Sequence, residues 1–106
     1  MGFDAVKNHV RFNAEKLSKN GVFSDEKLAM VDVYCARAGQ QQRTHAHAHA
    51  AKCYVILEGR AKVTIGSDTR EISAGEMAFA PRGVEHGLEC VGPADLVALV
   101  FIAGAL

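Results

Sequence analysis

The chain has 106 residues, with 12 basic and 12 acidic side chains and no net charge, and 49% of its residues are hydrophobic. This length allows a single domain over residues 1–106, and the apolar fraction is that of a globular protein with a buried core. The balanced charge gives no electrostatic footprint for nucleic acid or an anionic membrane, and no apolar run reaches the roughly 20 residues of a transmembrane helix.

The first 28 residues differ from the rest in composition. NAEKLSKN (13–20) and SDEKLAM (24–30) consist largely of helix formers, and Ser24 followed by two acidic residues is typical of a helix N-cap. The sequence therefore predicts a short N-terminal extension with one or two helical turns. The N-terminus lacks the apolar segment of a signal peptide, so we expect a cytoplasmic protein.

After this extension, glycine and other turn residues punctuate the chain at short intervals. The segments between them are rich in β-branched and aromatic residues, which is typical of an all-β sandwich or barrel. In AKVTI the side chains of Ala61, Val63 and Ile65 share one face. The predicted strands are VDVYCA (31–36), CYVIL (53–57), AKVTI (61–65), EMAFA (76–80) and LVALVFI (96–102). Because they fall inside these runs, the aromatic residues Tyr54, Phe79 and Phe101 are predicted to lie in the core rather than to stack on a ligand, with the mouth of a barrel as the alternative position.

Residues 45–50 read HAHAHA and contain three of the five histidines of the chain. Alanine favours a helix, in which His45 and His49 would share a face, but the β-type segment that follows favours a strand. In a strand, His45 and His47 lie on one side about 6.6 Å apart, and their imidazoles can lean together onto one cation. His45 and His49 would be about 13 Å apart, too far for all three rings to meet on one ion in a straight strand.

The three cysteines, Cys35, Cys53 and Cys90, are an odd number with no close pair. This pattern predicts reduced thiols in the cytosol rather than a disulfide framework. Each is most simply a small buried hydrophobic residue.

Residues 39–90, about half of the chain, resemble the small single-domain cupins. The first cupin motif, G-x5-H-x-H-x(3,4)-E-x6-G, corresponds to residues 39–59, and the second, G-x5-P-x-G-x2-H-x3-N, corresponds to residues 75–90. The matching residues are Gly39, His45, His47 and Gly59 in the first motif and Gly75, Pro81, Gly83 and His86 in the second.

The resemblance implies an all-β cupin double-stranded β-helix, a jelly-roll-like barrel of two antiparallel sheets whose motifs line its open end. It also implies that His45, His47 and His86 bind a divalent transition metal, either iron, manganese, nickel, zinc or copper. Imidazole ligands suit all five metals, so the ligand set does not select among them.

Two positions depart from the family pattern. The glutamate that completes the metal shell falls at Ala51 or Lys52, and counting back from Gly59 places it at Lys52, which cannot ligate while protonated. Lys52 is either a solvated lysine at the entrance of a strand or, if it reaches the cavity, a group that binds a substrate carboxylate or phosphate. The closing asparagine falls at Cys90.

Two replacements for the missing ligand remain open at this point. His49 becomes a fourth ligand if the strand ends at His47, and Cys90 becomes one if its thiolate lies near the metal. With neither, the site is three histidines without a carboxylate.

These residues leave three functions open. The first is a metal-dependent oxygenase acting on a small organic substrate, with no catalytic residue assigned. The second is a non-catalytic module that binds a small molecule or the metal itself for sensing. The third is a structural oligomer that has lost the metal. The run DLVALVFIAGAL is more apolar than a half-exposed strand should be, which predicts a homodimer covering it or, alternatively, cover by the N-terminal segment.

Overall fold

A computed structural model of the chain describes residues 2–25, 29–46 and 50–104. Within these ranges, one turn of 3-10 helix, Val6–His9, is followed by nine strands, so the all-β prediction is confirmed. No helix in these ranges is long and apolar enough to cross a membrane. The strands are β1 (Ser18–Asp25), β2 (Ala29–Ala36), β3 (Gln41–His45), β4 (Ala50–Glu58), β5 (Arg60–Ile65), β6 (Asp68–Ser73), β7 (Met77–Ala80), β8 (His86–Cys90) and β9 (Leu96–Gly104).

The strands form two antiparallel sheets. The five-stranded sheet has the order β1-β2-β9-β4-β7, and the four-stranded sheet has the order β3-β8-β5-β6. Each of the five predicted strand segments lies within an observed strand, apart from Glu76 at the start of EMAFA. β-branched and aromatic residues between turns were therefore a reliable signal here.

The helical predictions for residues 13–20 and 24–30 are wrong wherever the structure describes these segments. Residues 18–25 form β1, which pairs along its length with β2, and residues 29 and 30 belong to β2. Tertiary contacts override the helix-forming composition. Leu17 packs in the core, and the Asn20 amide donates hydrogen bonds to the backbone carbonyls of His9 and Arg11.

The core lies between the inner faces of the two sheets. AKVTI alternates as predicted, with Ala61 and Val63 buried and Ile65 packed against the same cluster. Alternation also holds in β4 and β9. The fully buried apolar residues of this cluster include Ala36, Tyr54, Ile56, Ala61, Cys90, Leu96, Ala98 and Val100.

The outer face of the five-stranded sheet is only partly covered. The N-terminal segment packs over the half of this face that carries Val33, Cys35 and Val97. The remainder is open, and Phe79 and Phe101 are 58% and 40% exposed. The core prediction is confirmed for Tyr54 and wrong for these two phenylalanines, because they occupy the outward positions of β7 and β9.

Two glycines allow close approaches that shape the barrel. Gly59, in the turn between β4 and β5, has a φ of +83°, and a Cβ there would collide with the backbone carbonyl of Asp95. At Gly87 a Cβ would lie 2.9 Å from Oγ1 of Thr44 and 3.0 Å from the carbonyl oxygen of Gln42. β3 can therefore lie against β8 at this point only because residue 87 has no side chain.

Candidate functional site

Two of the predicted metal ligands lie side by side at one end of the barrel. His45 is the last residue of β3 and His86 is the first residue of β8, and the two are direct partners in the antiparallel register. Their ring centroids are 4.5 Å apart with an angle of 60° between the ring planes. His86 is 1% exposed, so this pair faces the interior.

Both rings are held by the same type of hydrogen bond. Nδ1 of His45 lies 2.8 Å from the carbonyl oxygen of Arg43, and Nδ1 of His86 lies 3.0 Å from that of Val84. A carbonyl oxygen can only accept, so each Nδ1 carries a proton, and in the neutral ring the lone pair is on Nε2. Metal-binding histidines are typically oriented by such a bond from the ring nitrogen that does not bind the metal.

The other two predicted ligands, His47 and His49, lie outside the described residues. The strand prediction for HAHAHA is confirmed at His45, where β3 ends, and at Ala50, where β4 begins, and it is wrong at Ala46, which belongs to neither strand. In the ranges that the structure describes, no three histidine, cysteine, aspartate or glutamate side chains are grouped closely enough to hold a metal ion. The three-histidine site and the fourth ligand therefore remain predictions.

Cys90 does not lie beside the histidines. It is buried in the core at the other end of β8, and its thiol donates to the carbonyl oxygen of Ala94 at 3.5 Å. Four residues of strand separate it from His86, which corresponds to about 13 Å. A Cys90 thiolate as the replacement ligand is inconsistent with this geometry.

Lys52 is a buried lysine rather than a solvated one. It is on an inward position of β4 and is 2% exposed, so the surface alternative is wrong. Its Nζ lies 5.0 Å from the ring centroid of Tyr34 and 5.4 Å from that of Tyr54. Cation–π attraction of this kind offsets part of the cost of removing an ammonium group from water.

The environment of Lys52 disfavours the charged form of its side chain. Burial, and then the positive charge of Lys19, lower the pKa of Lys52 from 10.5 to about 8, while Asp32 opposes this shift. Asp32 is 8% exposed, and burial raises its pKa against the opposing effect of the two lysines. Two buried groups of opposite charge thus lie close enough to affect each other.

A hydrogen-bonded network supports this end of the barrel. The Gln42 amide donates to the Tyr34 hydroxyl at 3.2 Å, and the Tyr54 hydroxyl donates to Oε1 of Gln42. Burial raises the pKa of both phenols, so they are neutral near pH 7. The Tyr54 ring is also 6.3 Å, between centroids, from that of His86. The network thereby connects the lysine environment to the histidine pair.

A cavity of about 950 Å³ opens over Tyr34 and Gln42 of this network, whereas Tyr54 and His86 do not line it. Asp32, Tyr34 and Lys52 contribute its buried surface, and His45 lines it as well. The remaining lining residues are Asn13, Lys16, Leu17, Ser18, Lys19, Met30, Gln41, Gln42, Arg43, Thr44 and Ile102.

Sequence reasoning missed three groups of this cavity, Asp32, Gln42 and Lys19. A signal for Asp32 was present, because in VDVYCA it shares the inward phase of the strand with Tyr34. A charged residue at that phase of a buried strand indicates a polar cavity. Lys19 was hidden by the incorrect helical prediction for its segment.

Comparisons with known proteins agree with this geometry. The family model of the cupin domain matches residues 26–102. The crystal structure of a protein from Thermus thermophilus is similar to this chain, with 33% sequence identity and a TM-score of 0.94 over 100% of both chains. Both matches cover the two histidine motifs, and the Thermus thermophilus match also covers β1, which carries Lys19.

Two further solved structures share the fold. A Klebsiella pneumoniae protein with a double-stranded β-helix domain is 24% identical with a TM-score of 0.90, covering 98% of this chain and 85% of that one. A predicted oxalate decarboxylase of Thermotoga maritima is 24% identical with a TM-score of 0.78, covering 83% of this chain and 80% of that one. The predicted double-stranded β-helix is confirmed.

Proposed function

The chain belongs to the cupin family, and on that basis we propose that it binds a small organic molecule next to a divalent transition metal held by His45, His47 and His86. The observation that carries this proposal is the pair His45 and His86, whose Nδ1 protons are both directed to backbone carbonyl groups. That arrangement leaves Nε2 of each ring as the metal-binding atom.

The described donors fit such an ion. Two imidazoles of the correct tautomer lie on neighbouring strands at the end of a rigid barrel, and iron, manganese, nickel, zinc and copper all accept imidazole. The buried Lys52 ammonium replaces the carboxylate that the family pattern supplies, so the ion is held by neutral ligands alone. When bound, it supplies Lewis acidity and open coordination positions.

Metal content of the purified, untagged protein tests this assignment. We expect close to one equivalent of a transition metal per chain, lost in both His45→Ala and His86→Ala. His9→Ala is the matched control, because His9 is bonded to Asp4 in the N-terminal segment. Full metal content in both site variants would show that the assignment is wrong.

Two forms of this function differ in whether the bound molecule reacts. One is an oxygenase acting on a small organic substrate, and the other is a non-catalytic module that binds or senses the molecule. The fold accommodates enzymes, as the name of the Thermotoga maritima neighbour indicates, but fold alone does not determine chemistry. Oxygen uptake by the iron-loaded protein with thiols, diketones and phenolic acids would support the oxygenase. Ligand binding without uptake would support the binding module.

We also propose that the chain forms a homodimer through the open half of the outer sheet face. Cys53 of β4 lies between Phe79 of β7 and Phe101 of β9 in the register, and Met77 extends this apolar surface at 66% exposure. These four residues carry no charge, so the surface suits an equally apolar partner. A second copy supplies one by two-fold symmetry.

The cytoplasm is the proposed location. All three cysteines are free, and burial raises the pKa of the Cys35 and Cys53 thiols. Thiols in this state are compatible with a reducing compartment.

A further inference from the structure

We propose that the molecule bound in the cavity is a small organic anion, whose carboxylate or phosphate group binds Lys52 and Lys19 while Asp32 accepts a hydrogen bond from a hydroxyl or amino group of the same molecule. This inference rests on the proposed function in one respect, that the cavity is the binding site. It does not require the metal.

Lys52 is the first observation that supports an anion. Its ammonium group forms no hydrogen bond or ion pair with any described residue, and its contacts are the faces of two tyrosine rings. An ammonium group has three protons to donate, and burying it without acceptors is costly. An oxyanion in the cavity would supply those acceptors.

Lys19 is placed to act on the same ligand. It is the direct register partner of Tyr34, and its Nζ lies 5.6 Å from the centroid of the Tyr34 ring. The two ammonium groups therefore share one aromatic ring, and the positive charge of Lys19 contributes to the lowered pKa of Lys52. A negative group bound between them would relieve this repulsion.

Asp32 adds a requirement for a donor on the ligand. Its carboxylate is almost buried at an inward position of β2, two residues before Tyr34, and it forms no ion pair with Lys52 or Lys19. A buried carboxylate that has charged neighbours but no direct ion pair still requires hydrogen-bond donors. A hydroxyl or amino group next to the anionic group of the ligand would meet that need.

The charge of the whole cavity agrees with this assignment. Its lining has four cationic side chains and one carboxylate, a difference of three positive charges, in a chain with no net charge. Concentrating positive charge in a concave site attracts small anions. The volume of about 950 Å³ is within the range of small-molecule sites. The cationic residues are Lys16, Lys19, Arg43 and Lys52.

Calorimetric titration with two pairs of probes tests the inference. The probes are L-lactate with its uncharged analogue lactamide, and glycerol 3-phosphate with glycerol. We expect the wild-type protein to bind at least one anion at least tenfold more tightly than its uncharged partner. The stronger of the two anions identifies the charged group as a carboxylate or a phosphate.

Variants assign the binding to the lysines. Lys52→Met should weaken anion binding at least tenfold, and Lys62→Met, which removes an exposed lysine from β5, should leave it unchanged. Lys19→Met is the second test, because its side chain is exposed and its loss does not disturb the core. Equal binding of anion and uncharged analogue, no binding of either anion at millimolar concentration, or full binding by both cavity variants would each overturn the inference.

His86→Ala separates this inference from the metal proposal. If the lysines bind the anion, His86→Ala should lose metal and keep most of the anion affinity. Anion binding that is lost in His86→Ala but retained in Lys52→Met would place the anion on the metal and overturn the lysine site. Anion binding by a wild-type protein without metal would uphold the inference while the metal proposal failed.

Discussion

The two faces of the five-stranded sheet reverse the usual distribution of residue types. On the inner face, Asp32 and Lys52 are charged and almost completely buried, whereas on the outer face Phe79 and Phe101 are aromatic and largely exposed. All four residues lie on neighbouring strands of one sheet. Buried charge has a cost that a ligand can offset, and exposed aromatic surface has a cost that a partner can offset. This difference is the basis for proposing ligand binding at the inner face and chain association at the outer face.

The largest expected effect is on the outer face. Phe101→Lys places a charge within the apolar surface of both copies, and we expect it to weaken dimerisation at least 100-fold, about 3 kcal/mol, as for loss of a central interface residue. Sedimentation equilibrium measures this change. Phe3→Lys is the matched control, since Phe3 is 98% exposed in the N-terminal segment. If the wild-type protein sediments as a single chain of 11.3 kDa, the proposed dimer does not form.

Among substitutions that add a single methyl group, Gly87→Ala in β8 should disturb the histidine site most. The added methyl group meets Thr44 and the backbone of Gln42, so β3 must move away from β8. We expect a loss of about 1–3 kcal/mol in the free energy of unfolding, together with weaker metal binding because His45 moves away from His86. Denaturant unfolding and metal titration measure both effects. Gly21→Ala is the control, because its Cβ would meet only Oδ1 of Asp32 at 3.8 Å.

The buried lysine also predicts a dependence of stability on pH. The pKa of Lys52 is about 8 in the folded chain, whereas the ordinary value for a lysine is 10.5, so between these values the unfolded chain retains a proton that the folded chain has released. The free energy of unfolding should therefore rise with pH in this window, by up to about 1.4 kcal/mol per pH unit. The measurement is the difference in the free energy of unfolding between wild type and Lys52→Met from pH 7 to 10.5. Subtracting the two removes the contribution of the other titrating groups. A difference in the free energy of unfolding that does not change with pH would show that Lys52 is not desolvated.

The smallest expected effect concerns the network behind the cavity. Tyr54→Phe removes the hydroxyl that donates to Oε1 of Gln42 and leaves that buried acceptor without its donor. We expect a loss of about 1–2 kcal/mol in the free energy of unfolding, with little change in metal content. Tyr34→Phe is the companion variant, because Tyr34 only accepts from Gln42 in this network. Unchanged stability in both variants would indicate that the network does not support the site.

Particular residues show how far the sequence was informative. The resemblance to the cupin motifs implied that His45 and His86 share one site, and the structure confirms that these two residues are neighbours. Lys52 was recognised as a departure from the family pattern, but its burial was not, since a lysine ordinarily lies in water. Phe79 and Phe101 were predicted to lie in the core because a short apolar run does not show whether its strand is buried on one face or on both.

Local chemistry in the sequence was sufficient to determine the all-β class and five of the nine described strands, because these depend on neighbouring residues and their period along the chain. The pair of histidine motifs was recognised by resemblance to a family. Only the tertiary structure decided that β1 is a strand, that Lys52, Lys19 and Asp32 share a cavity, and that one half of the outer face stays open. These features arise from contacts between distant segments, and the environment of a side chain depends on which of its neighbours in space cover it.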